Sequence, residues 1–119
     1  MANIKTFEAA CKALGLNPKT VPDFSHAPKQ HQAALIAHYK LVIIAEALNE
    51  GWKPTWKNDE EYKYYPWFEM ESSKGFRFCV ARYYYSVSDV GSRLCFRSRE
   101  LAEYAGKTFL KLYKDYMIL

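Results

Sequence analysis

An aromatic-rich run, residues 62–96, constrains the fold more than any other part of the chain. Apolar and polar side chains alternate through much of it, which is typical of β-strands with one buried face. Two short stretches rich in Ser, Asp and Gly, at 72–75 and 86–92, interrupt the alternation and favour turns. We therefore expect an antiparallel meander of three strands, which lie at 66–71, 76–85 and 93–97.

The alternation also assigns side chains of the second and third strands to the two faces of this sheet. Cys95 is expected to face outward between Arg93 and Arg97. Leu94 and Phe96 are expected to face inward. In the second strand, one face is expected to carry Phe76, Phe78, Val80 and Tyr84, and the other Arg77, Cys79, Ala81, Tyr83 and Tyr85.

Two helices are predicted before this run. Thr6 is a suitable N-cap and Gly15 a suitable left-handed C-terminal residue for a short helix over 7–14. After Pro28, apolar residues recur at i, i+3, i+4 and i+7 over more than half of the helix circumference, which predicts a long, largely buried helix that ends at Gly51.

A last helix is predicted over 99–116, with Ser98 as its N-cap and an apolar stripe that packs on the inward face of the sheet. With 119 residues the chain fits one domain. The expected fold class is α+β, as a single domain 1–119: two N-terminal helices, a three-stranded antiparallel meander, and a C-terminal helix packed on the sheet.

The positive charge of the protein is concentrated in its C-terminal part. The chain carries a net charge of +4, with +5 in residues 72–119 and −1 in residues 1–71. This bias is compatible with an anionic partner, and equally with an ordinary solvated face. All five arginines lie in or just after the aromatic run, where Arg can bind phosphates and Tyr can stack on a ring. The predicted ligand-binding residues are Arg77, Arg82, Tyr83, Tyr85, Arg93, Arg97 and Arg99.

Catalytic and metal-binding patterns are weak in this sequence. A cation on each side would lower the pKa of the Cys95 thiol if that face is solvated, but a packed structural cysteine is the more economical interpretation. His31 and His38 are roughly 10 Å apart along a helix, too far to share one metal ion directly. Nucleotide-binding loops and nucleophile elbows are missing. We expect no enzymatic activity, no metal and no cofactor.

Four segments of the chain carry a resemblance to known proteins: 90–96 (VGSRLCF), 98–107 (SRELAEYAGK), 34–41 (ALIAHYKL) and 62–68 (YKYYPWF). On these segments the chain resembles a group of small proteins from bacteriophages and prophages of gut Bacteroidota. The resemblance implies a phage context in the bacterial host cytoplasm, and it assigns no catalytic residue. A cytoplasmic location agrees with three cysteines that form no CxxC pair.

We expect a non-catalytic phage protein that binds an anionic ligand through a basic aromatic sheet. The ligand is either a nucleotide-like signalling molecule, sequestered to counter host defence, or a nucleic-acid strand. The alternative is a structural or host-interaction phage protein that acts through a protein–protein interface. We expect no association with membranes. We expect a homo-oligomer, which by default is a dimer.

Overall fold

The computed structural model, which describes residues 4–119, combines helices with one small β-hairpin. The described chain has the expected α+β composition, but the expected three-stranded meander is wrong because the sheet has two antiparallel strands. The elements in chain order are α1 (Phe7–Leu14), α2 (Lys29–Asn49), β1 (Lys63–Glu69), β2 (Arg77–Tyr84), α3 (Arg99–Thr108) and α4 (Leu110–Met117).

The capping residues predicted for α1 are confirmed. The Thr6 hydroxyl accepts the N–H of Ala9 at 3.0 Å, and Gly15 adopts φ 72° after the last turn. Helix α2 ends in two left-handed residues, Glu50 with φ 48° and Gly51 with φ 85°. The chain changes direction at these two residues, and the long connection to β1 begins there.

A β-bulge in the hairpin changes which side chains face the core. Trp67 lies opposite Val80 and Phe68 lies opposite Phe78, so Cys79 has no partner on β1. One extra residue reverses the alternation of faces along a strand. Val80 is consequently 43% exposed and Ala81 only 3% exposed, so the shared face expected for Phe78 and Val80 is wrong.

The segment expected to form the third strand makes a single antiparallel bridge, and it makes this bridge with β1 instead of β2. The N–H of Tyr64 donates to the carbonyl of Phe96 at 2.9 Å, and the N–H of Phe96 donates back at 2.6 Å. The Asn49 side chain takes the place of a further strand, since its amide donates to the carbonyl of Cys95 and accepts the N–H of Arg97. Leu94 and Phe96 are buried as expected.

The last helix is divided at Phe109. This residue has φ −109° and ψ 30°, which separates α3 from α4. Backbone hydrogen bonding nevertheless continues through it, from the N–H of Phe109 to Ala105 and from the N–H of Tyr113 to Phe109. The Phe109 side chain is buried in the core, and it meets the Tyr104 ring edge-on at 6.5 Å. The predicted single helix therefore has the expected extent but not the expected continuity.

Helix α3 packs directly on the hairpin, as the sequence predicts for the last helix. Gly106 lies against Phe78 and Pro66 so closely that a Cβ atom there would be 2.5 Å from the Phe78 ring. Helix α4 packs against α2, and α1 packs on the other side of α2. The core of the described residues is thus shared among the helices and the inner face of the hairpin.

Candidate functional site

Four tyrosines form a continuous patch on one end of the hairpin. Tyr64 of β1 and Tyr83 of β2 are paired in register, while Tyr62 and Tyr85 lie two residues away from them and so share their face. The Tyr62 and Tyr83 rings stack with centroids 4.6 Å apart and planes 9° apart, and Tyr85 meets Tyr62 edge-on at 4.8 Å. We call these four residues the tyrosine patch.

The tyrosine patch is open to solvent. Tyr62, Tyr83 and Tyr85 each expose about two-fifths of their surface, at 40%, 39% and 40%. The Tyr85 hydroxyl donates to that of Tyr62 at 3.4 Å, and this interaction raises the pKa of Tyr85 to about 12, with burial as a smaller cause. The hydroxyl of Tyr85 is therefore neutral at physiological pH, and its ring adds no charge to the patch.

A fixed guanidinium lies beside these rings. Arg99, the first residue of α3, donates from Nη1 to the carbonyl of Ala81 at 2.8 Å. Its Cζ lies 5.2 Å from the Tyr64 ring centroid and 5.9 Å from that of Tyr83, within the range of cation–π attraction. A guanidinium has five N–H donors. The remaining donors can bind an anion at the edge of the patch.

Arg99 and Arg82 flank an open groove of ≈ 400 Å³ along the outer edge of β2. Val80, Ala81 and Tyr83 line the rest of the groove. The Arg82 guanidinium lies over the Trp67 ring at 4.9 Å, on the other face of the strand from Tyr83. Four of the seven predicted ligand-binding residues, Arg82, Tyr83, Tyr85 and Arg99, therefore lie at or next to the tyrosine patch.

The structure does not bring the other three predicted residues to this patch. Arg77 is at the opposite end of β2 and pairs with Glu69 at 2.9 Å, which raises the pKa of its guanidinium. Arg97 lies 3.6 Å from the Glu50 carboxylate at the end of α2. Arg93 lines a cleft beside the same helix end. The alternation of the expected third strand had placed Arg93 and Arg97 on one sheet face, and that strand does not form.

Lys63 is an organising residue that the sequence did not reveal. Its side chain is 1% exposed, and its ammonium donates to the carbonyls of Tyr85 at 2.5 Å and Asn58 at 3.3 Å. The Glu61 carboxylate is 3.5 Å away, and the Trp56 ring centroid is 5.0 Å away. These contacts fix the backbone at Tyr85, at the border of the patch. Because Tyr62 and Tyr64 share one face, strand alternation could have indicated that Lys63 lies on the opposite face of the hairpin.

Cys95 does not have the environment of a reactive cysteine. Its side chain is fully buried, and burial raises the pKa of the thiol to about 11. The outward orientation expected for Cys95 is wrong, because Leu94, Cys95 and Phe96 are all buried together. Cys79, the bulge residue, is the exposed thiol of the three.

Residues 4–119 contain neither a metal-ligand cluster nor a membrane-spanning helix. No group of three or more His, Cys, Asp and Glu side chains is arranged to hold a metal ion there. His38 instead stacks on the Tyr116 ring at 5.0 Å. In the same part of the chain, every helix falls short of the length and apolar character needed to cross a bilayer.

Comparison with known proteins gives no assignment for this site. No family model, no curated protein and no solved structure matches the chain.

Proposed function

We propose that this protein is a non-catalytic phage protein that binds an anionic, ring-bearing ligand on the tyrosine patch. The observation that carries the proposal is the pairing of exposed, mutually stacked tyrosine rings with the fixed guanidinium of Arg99. The resemblance to phage and prophage proteins supports the host cytoplasm as its location. Sequestering a nucleotide-like signalling molecule would counter host defence, and binding a nucleic-acid strand would act on replication or transcription.

Base stacking on the patch would supply the affinity without sequence preference. Stacking of a base on an aromatic side chain contributes about 1–3 kcal/mol, and every base has a ring face to offer. Tyr83 lines the groove along β2, so a base stacked on its ring would leave its phosphate near Arg99. Guanidinium groups bind phosphate through paired, charge-assisted hydrogen bonds.

The openness of this surface favours a strand over a single enclosed molecule. The groove is bounded by one strand and one arginine, and the tyrosines beside it extend it along the hairpin. A strand can follow such a surface and use several rings in turn, whereas a mononucleotide would remain largely hydrated. We therefore favour a single-stranded nucleic acid and keep the nucleotide-like molecule as the alternative ligand.

Fluorescence anisotropy with a labelled single-stranded DNA and a labelled nucleotide tests this proposal. Strand binding to a few phosphate-contacting arginines should weaken about tenfold or more between about 50 and about 200 mM salt, because bound phosphates release counterions. Replacing Tyr62 and Tyr83 together with alanine should weaken binding about tenfold or more. The matched control is Arg77→Ala, which removes an exposed arginine paired with Glu69 at the far end of the hairpin.

Each result of that experiment has a definite meaning. Binding of the nucleotide alone, with little dependence on salt, would replace the strand with the small-molecule ligand. Equal weakening by Arg77→Ala and by the tyrosine changes would show general charge attraction and remove the patch. Binding of neither ligand would overturn the proposal.

A protein–protein interface is the second candidate, and the other face of the hairpin favours it. Trp67 and Val80 are paired in register and are 41% and 43% exposed there, which is high for apolar side chains. The proposed occupant is a second copy of this chain, in a twofold dimer. Light scattering should then give a dimer that Val80→Lys dissociates, and a monomer at all concentrations would eliminate this candidate.

A further inference from the structure

A cleft at the C-terminal end of α2 has the features of a separate ligand site. It lies between the last turns of the helix, the reversal that follows Gly51, and the loop at Ser92 and Arg93, and its volume is ≈ 460 Å³. This volume is in the range of cavities that hold small organic ligands, about 300–1,000 Å³. We propose that this cleft binds a small organic anion with a flat apolar body.

The walls of the cleft favour a flat apolar body. Val42 contributes an aliphatic surface from α2, while Trp52 and Pro54 contribute an indole and a pyrrolidine ring from the segment after the helix. An indole face is a stacking surface for another ring. A small hydrated ion such as free phosphate would gain nothing from these three side chains.

The charges around the cleft favour an anion at its rim. Lys53 and Arg93 are exposed lining residues, and neither has an ion-pair partner within residues 4–119. Glu46 is the single acidic side chain of the lining, which leaves an excess of one positive charge. The C-terminal end of α2 carries the negative end of the helix dipole, so the anionic group should lie away from the helix, with Lys53 and Arg93.

The polar framework around the cleft is already fixed. Asn49 uses its side-chain amide to bind Cys95 and Arg97, and Trp56 donates from Nε1 to the Ser92 hydroxyl at 2.7 Å. The loop that presents Arg93 is thus held from both sides before any ligand binds. Preorganisation of this kind reduces the entropy lost on binding.

This site does not depend on the proposed function of the tyrosine patch, because no residue of the patch lines the cleft. The two proposals can therefore fail separately. Variants of the tyrosine patch should still bind an anion in the cleft, and variants of the cleft should still bind the ligand of the patch.

NMR titration with anilinonaphthalene sulfonate, a flat aromatic anion, tests the site. The three tryptophan side chains give separate indole N–H signals, which Trp→Phe variants assign. The Trp52 signal should shift in a saturable way while the Trp67 signal does not. The matched probe is phenylnaphthylamine, which lacks the sulfonate and should bind about tenfold more weakly.

Charge variants complete the test without disturbing the fold, because the changed side chains are at the surface. Replacing Lys53 and Arg93 together with alanine should weaken the sulfonate about tenfold and leave the uncharged probe unaffected. Glu46→Gln should tighten the sulfonate a few-fold by removing a like charge. Equal binding of both probes, an unchanged affinity in the double variant, or saturable shifts only at Trp67 would each overturn the proposal, as would no binding.

Discussion

At the scale of single residues, two buried polar side chains replace secondary structure that does not form. Asn49 is 5% exposed, and its side chain hydrogen-bonds to the carbonyl of Cys95 and the N–H of Arg97. In a longer sheet, a neighbouring strand would bind these two backbone groups. Lys63 does the same for the carbonyls of Asn58 and Tyr85. Buried backbone groups must find hydrogen-bond partners, and here side chains from distant positions supply them.

Asn49→Ala is expected to destabilise the protein by about 2–3 kcal/mol, because it leaves the buried Cys95 carbonyl and the partly buried Arg97 N–H without partners. The free energy of unfolding from urea denaturation measures this change. Asn17→Ala is the control, since the Asn17 side chain binds only an exposed local N–H, that of Lys19, and should cost less than about 1 kcal/mol. Equal effects of the two changes would contradict the role given to Asn49.

The three thiols are expected to differ sharply in reactivity. At about pH 8, one thiol per chain, Cys79, should react with a disulfide reagent, while the buried Cys11 and Cys95 should react only after unfolding. Cys79→Ser should abolish the fast reaction. Rapid modification of any thiol in the folded Cys79→Ser variant would show that Cys95 or Cys11 is accessible, which would contradict this prediction.

The raised pKa of Cys95 also predicts a pH dependence of stability. The folded protein holds this proton more tightly than the unfolded chain, so the contribution is full below pH 9.0 and is lost as the pH rises toward about 11. The free energy of unfolding should fall across this window, and it should fall less steeply in Cys95→Ala. Identical slopes for the two proteins would contradict the burial of the thiol.

At the scale of elements, the close approach of α3 to the hairpin depends on Gly106. Gly→Ala in a helix is normally stabilising by up to about 1 kcal/mol. Here the added Cβ would lie 2.5 Å from Phe78 and 2.8 Å from Pro66, so Gly106→Ala should instead destabilise by about 1–3 kcal/mol. In a Phe78→Ala background the same change should cost less, and an equal cost in both backgrounds would refute the contact.

The β-bulge at Cys79 predicts which residue of β2 can be deleted without loss of the fold. Because Phe78 and Val80 already face adjacent positions of β1, deleting Cys79 should leave every other pair in register and preserve the fold. Deleting Arg82 should instead shift Tyr83 and Tyr84 to opposite faces and prevent folding. Circular dichroism and thermal unfolding distinguish the two, and loss of the fold on deletion of Cys79 would contradict the register.

The helices could be predicted from the sequence because their signals are local. Thr6, Gly15 and Ser98 act within a few residues of their own positions, and the structure confirms all three. The third strand could not be excluded in this way, because its place is taken by the Asn49 side chain, 46 residues away from Cys95 along the chain. The bulge was missed for a related reason. A single extra residue changes which face of the strand the neighbouring side chains occupy, and no glycine or proline marks this bulge in the sequence.

At the scale of the whole molecule, these errors explain which of the predicted ligand-binding residues lie together and which do not. The tyrosine patch depends only on the pairing of β1 with β2 and on the start of α3, so Tyr83, Tyr85, Arg82 and Arg99 were found together. Arg93 and Arg97 depended on a third strand, and they lie instead near the end of α2. The molecule thus offers an open aromatic surface at the hairpin and a more recessed cleft beside α2.

Titration of tyrosine-labelled protein with single-stranded DNA, followed by ring-selective NMR, tests the central proposal most directly. The ten tyrosines report from across the described chain. The proposal predicts saturable shifts for Tyr62, Tyr64, Tyr83 and Tyr85, and unchanged signals for Tyr39 and for Tyr113, which is buried against Phe68. Saturable shifts confined to tyrosines outside the patch, or no shifts at all, would contradict it.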